Sequence, residues 1–193
     1  MTLEERIDRI FNTSEIELAG EAYKGKYELN NVKSIKDFIL KKLRGKIKNL
    51  DISANIIISK KSVLKLASHL KDGEVYQKTL AHIPQIIENM RFLERMKPDK
   101  ENAGFDTYSY YITGANIDGE SHTILSTVGY KGQEIYYDQN VFKGTSKEVF
   151  KEAKTSTDNK YSRLKEILKD NDNGDWRQVG IALPEAPTAV ESN

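Results

Sequence analysis

Lys61, Lys65 and His69 stand four residues apart in the run IIISKKSVLKLASHLKDG. Residues spaced this way share one face of a helix. Val63, Leu66, Ala67 and Leu70 recur on the opposite side, and Ser62 falls beside the basic stripe. An imidazole titrates near neutrality and can move a proton, while an ammonium group stabilises the charge gathering on a pentavalent phosphate. The face is therefore suited to holding a phosphate and transferring a proton. It would serve equally as a hydrated polar surface.

Two further histidines are candidates. His82 precedes Pro84 and borders an apolar stripe, where packing or capping is the simpler role. His122 opens a strand beside the Asp118-Gly119 turn, at a sheet rim. Hydroxyls are abundant nearby. Ser109, Tyr111 and Thr113 share one strand face and Tyr108, Tyr110 and Ile112 the other, with Ser126, Thr127, Tyr137 and Gln139 on later strands. Tyrosine pairs of this kind pack across strands, and they can also stack bases.

The elements that would position these groups read as follows. Thr2 caps a helix through Phe11, and Tyr23–Leu29 reads as a short strand. Ser34 reads as the cap of a helix carrying Ile35, Phe38, Ile39, Leu43 and Ile47, weakened at Gly45. Ala54–Ser59 is a buried strand, and Ser59 caps the Lys/His helix, which Gly73 stops. Glu74–Met96 is helical, divided near His82 by Pro84, and Pro98–Asp106 is a loop. TYSYYITGANI, SHTILSTVGY and EIYYDQN alternate around Asp118-Gly119 and Lys131-Gly132, which predicts an antiparallel meander. Ser146–Ala153 and Tyr161–Lys169 are helices.

Length and composition suit one well-buried unit, divided here into an N-terminal helical region (1–50), an α+β domain (51–170) and a flexible tail (171–193). In the tail, Trp176, Val179 and Ile181 are expected to dock back onto the domain. The net charge is +1, but residues 31–71 hold eleven Lys/Arg against Asp37 and Asp51. The local excess marks Lys41, Lys42, Arg44, Lys46 and Lys61 as a candidate anion-binding face, or as a solvated basic face. With no cysteine there is neither disulfide, thiol nucleophile nor thiolate metal site. No run is long enough to span a bilayer, the N-terminus is no secretory signal, and a cytoplasmic setting is expected. DNDNGD lacks the closing Glu of a calcium loop, phosphate-binding glycine loops and HExxH are absent, and neither metal nor cofactor is expected.

The succession IIISKKSVLKLASH, TLAHIPQIIENM, TYSYYITGANIDGESHTILSTV and GQEIYYDQNVF resembles nuclease-like domains associated with large polyvalent proteins of phages and mobile elements. These are grouped with barnase, EndoU, the tRNA-cleaving colicins and RelE-type toxins. The resemblance covers Gly45 to Phe142. It implies an α+β fold: a small, mainly antiparallel four-stranded sheet, with helices preceding it and packed on one face. It implies a metal-independent endoribonuclease acting as a toxin or effector on RNA, tRNA included, with a cognate antitoxin or immunity protein as partner.

Carried over residue by residue, the helix position falls on Lys65 or His69 and the sheet positions on Ser109, Ser126 or Thr127 and the end of the YYD strand; the roles expected are His69 as general acid or base and Lys65 as transition-state cation. Ser126, Tyr137 and Gln139 become positioning groups. Relatives place a basic residue after YYD where this chain has Gln139, which leaves His69 or His122 to supply the missing acid or base. The alternatives are a catalytically inactive RNA- or protein-binding module, or a host-directed inhibitor docking on a bacterial enzyme.

Overall fold

The computed structural model describes residues 1–98, 104–132 and 134–169. The expected tail, with the docking of Trp176, lies outside the described residues, as does the middle of the Pro98–Asp106 loop. The fold is α+β. Its frame is the meander β5 (Thr107–Ile117), β6 (Glu120–Lys131) and β7 (Glu134–Lys143), antiparallel throughout. Asp118 and Gly119 close the first hairpin with φ of 51° and 90°. Positive φ at both positions suits the right-handed strand twist.

The other edge of β5 carries two short strands end to end. β4 (Arg91–Met96) pairs antiparallel with Tyr108–Ile112, and β1 (Ile16–Leu18) pairs parallel with Ala115–Ile117. The sheet therefore has five strands in four columns. A separate ribbon joins β2 (Gly45–Lys48) to β3 (Asn55–Ile58).

Helices cover both faces of the sheet, which corrects the one-sided arrangement expected. On one face α2 (Val32–Phe38, continuing as a π-turn Ile39–Leu43), α3 (Lys60–Ser68), α4 (Glu74–Thr79) and α5 (Ile83–Asn89) join the ribbon over Tyr111, Val128 and Tyr137. On the other, α1 (Leu3–Phe11), α6 (Ser146–Thr155) and α7 (Ser162–Lys169) pack on Tyr110, Ile112, Leu125 and Phe142. Strand alternation produces this division, because odd and even positions of β5 both carry large apolar groups.

Several local expectations change. Tyr23–Leu29 forms turns, and Tyr27 packs its ring against Phe38. Asn31, not Ser34, caps α2; the Ser34 amide donates to Asn31 Oδ1 at 2.9 Å. Ile47 belongs to β2, since Gly45, at φ 124°, leaves helical geometry. Arg91–Met96 is a strand where a helix was expected. Residues 1–50 carry β1 and β2 as well as helices, and both strands pair with partners beyond residue 50. No helix among the described residues is long and apolar enough to cross a membrane.

Candidate functional site

α3 lies along the outer edge of β7, and Ser62 fastens it there. Ser59 caps the helix in a capping box completed by Ser62. The same Ser62 hydroxyl accepts the Tyr137 backbone N–H at 2.9 Å. Ser62 is thus fully buried, turned inward from the basic stripe beside which its angle placed it. Fixing Ser62 leaves Lys61, Lys65 and His69 facing the rim of β7.

Phe105, Tyr108 and Tyr136 meet Lys61 and Lys65 in a cleft of about 210 Å3. The Lys61 ammonium sits 4.2 Å from the Phe105 ring centroid, and the Phe105 and Tyr136 centroids are 4.4 Å apart. Gly129 makes this close approach possible, because a Cβ there would stand 2.2 Å from Tyr136 Cε1. Burial raises the phenol pKa of Tyr136, so its hydroxyl stays neutral. Phe105 and Tyr136 are buried and Tyr108 is half-buried, so Tyr108 is the ring open to stack a base, with the Lys61 and Lys65 ammonium groups beside it to meet a phosphate.

One turn further along α3, His69 is held on both nitrogens. Nε2 lies 3.1 Å from Asp138 Oδ2, and Nδ1 lies 3.3 Å from Asp72 Oδ2. Its ring also meets the edge of Tyr76, with centroids 5.8 Å apart. The imidazole pKa is raised, first by the hydrogen bond to Asp138 and then by the charges of Asp138 and Asp72; burial and Lys65 oppose them. Asp72 is 39% exposed, so its hold on Nδ1 is the one solvent competes for. Once that contact opens, a protonated His69 can donate beside the cleft.

The remaining residues singled out in the sequence are placed elsewhere. Ser126, Tyr137 and Gln139 form a closed network on the opposite sheet face from Tyr136 and Asp138. Ser126 Oγ lies 3.0 Å from the Tyr137 hydroxyl, which donates to Gln139 Oε1 at 2.7 Å; Gln139 Nε2 donates to Thr79 at 2.8 Å. All three are fully buried, and burial raises the Tyr137 pKa. Such satisfaction fixes packing; no ligand reaches these groups in this arrangement. His122 is buried and bonds the Glu120 carbonyl at 3.0 Å. It lies five residues along β6 from Thr127, the partner of Asp138, which is about 17 Å. His82 Nε2 meets the Ala19 carbonyl at 2.7 Å. Lys41 and Lys42 border a different groove, and Arg44 and Lys46 are exposed around the start of β2.

Sequence reasoning missed Phe105, Tyr136, Asp72 and Asp138. The signal for Asp138 was present, because alternation within YYD puts it on the Tyr136 face. Among the described residues, no group of three or more His, Asp or Glu is arranged to hold a metal ion.

Neither the curated proteins nor the solved structures contain a match to this chain. A family model does match, over residues 7–137, from α1 to the middle of β7. That span takes in α3, Phe105, Tyr108 and Tyr136 and stops one residue before Asp138. By this match the chain belongs to the family of large polyvalent protein-associated domain 3.

Proposed function

We propose that the cleft between α3 and β7 binds single-stranded RNA. The observation that supports this reading best is the meeting of three aromatic rings with Lys61 and Lys65 in one cleft. Stacking on aromatic side chains contributes about 1–3 kcal/mol per base, and each neutralised phosphate releases counterions. The test is titration of a labelled single-stranded oligonucleotide, and of tRNA, at two salt concentrations. Affinity should fall steeply with salt, and Lys61→Glu with Lys65→Glu should lower it at least tenfold. No binding at low salt would remove the proposal.

A second reading, metal-independent endoribonuclease, is favoured by His69, which stands one turn from Lys65 between Asp138 and Asp72, the carboxylates that raise its pKa. The ribose 2′-oxygen attacks the phosphorus, the bond to the 5′-oxygen breaks, and His69 gives that oxygen its proton. The 2′-hydroxyl proton passes to water, and Lys65 faces the charge on phosphorus. In this reading the protein is a toxin-like effector of a phage or mobile element, restrained by an antitoxin or immunity partner. Incubation with tRNA in EDTA should yield 2′,3′-cyclic phosphate ends, and His69→Ala should abolish them while binding persists. Binding without cleavage leaves the first reading standing alone.

A further inference from the structure

Away from the cleft, a groove of about 570 Å3 runs between the end of α2 and the α4–α5 junction. Phe38, Leu43, Ala81 and Pro84 line it with apolar surface, and Lys26, Lys41 and Lys42 stand at its rim. The local sequence explains this composition. Phe38 closes α2, and Lys41 and Lys42 lie exposed in the π-turn that follows, where both line the groove with Phe38. Pro84, in the first turn of α5, has no N–H to satisfy and lies bare on the surface. Gly25, at φ 79°, turns the chain and brings Lys26 to the facing wall.

The charge in this groove is unbalanced. Among the described residues Asp37 is the one acidic group lining it, and Lys33 already holds it at 3.3 Å. Among the described residues no carboxylate pairs with Lys26, Lys41 or Lys42.

We propose that this groove docks an acidic protein segment carrying a bulky apolar side chain. Charge complementarity supports the acidic character, and the apolar floor accounts for the anchor. The three ammonium groups come from two walls, on flexible stems. They match carboxylates spread along a chain better than one compact anion, for which a guanidinium fork or converging amides would be the fitting site. RNA would satisfy the lysines but leave the Phe38–Leu43 floor uncovered. Because Lys61 and Lys65 line a separate cleft, one molecule can hold RNA and an acidic partner together.

The experiment is selection from a random dodecapeptide pool on the full chain, counter-selected on Lys41→Glu with Lys42→Glu. Selected peptides should be rich in Asp and Glu around an aromatic or leucine residue. Their Kd should rise at least tenfold on the double variant and stay unchanged on Lys61→Glu with Lys65→Glu. Pro84→Glu, which puts a carboxylate into the floor at a helix start where it is tolerated, should weaken binding similarly and guards against a misfolded double variant. The proposal is overturned if the enriched peptides lack acidic bias, if none prefers the wild type, or if a single-stranded oligonucleotide displaces them competitively.

Discussion

His69 shows how one side chain can be half legible from sequence. Its alignment with Lys61 and Lys65 follows from helical periodicity, whereas the carboxylate that governs it lies sixty-nine residues away. Nothing local announces that pairing. Ser126, Tyr137 and Gln139 illustrate the reverse case. Their polar types suggested an accessible site, but mutual hydrogen bonding lets them be buried, and alternation sends them to the far side of the sheet.

The state of His69 makes stability depend on pH. Because its folded pKa lies above the unfolded value of about 6.5, its contribution is complete below that pH and is lost as pH rises through the folded value. Thermal melts should therefore show the midpoint falling as pH rises above about 6.5. His69→Asn should flatten that part of the profile. An unchanged slope in the variant would mean that the two carboxylates do not hold the imidazole.

At the level of elements, the meander was legible because alternation and turn dipeptides agree over more than thirty residues. The strands β2 and β4 were not. GKIK and RFLERM each follow helical segments; the first is too short for its Lys46/Lys48 alternation to register, and the second spaces Arg91, Glu94 and Arg95 as a helix would. Their strand character comes from partners: β3 for the first, β5 for the second. Glycine 129 was equally silent. Its role appears only when the Tyr136 ring crosses it, and Gly129→Ala should displace that ring. Overpacking of this kind costs about 1–3 kcal/mol. Chemical denaturation should register the loss, and oligonucleotide affinity should fall with it, since the cleft wall moves.

Across the whole molecule, Arg6 ties the N-terminal helix to the sheet. Its guanidinium is fully buried, giving Nε–H to the Leu93 carbonyl at 2.6 Å and reaching Glu94 at 3.1 Å. Breaking a buried ion pair by removing one partner costs about 3–5 kcal/mol. Arg6→Ala should lower the unfolding free energy by that amount, while Lys24→Ala, at an exposed pair, should leave it nearly unchanged. Equal effects would mean that the buried pair is not structural.

The free margins of the sheet share a further property. Ser62 takes the Tyr137 amide on one side; on the other, Asp51 takes the Phe92 amide at 2.8 Å and Arg6 occupies the Leu93 carbonyl, beside an irregularity between Phe92 and Glu94. Side chains thus occupy backbone groups that another strand would otherwise recruit. When folded units are tethered together, their effective concentration reaches the millimolar range, and any open margin becomes a template for a neighbour. Each occupied position removes a backbone group from that template. The helix that carries the basic stripe is also the guard on β7, so a ligand that pried α3 away would expose the chain to aggregation.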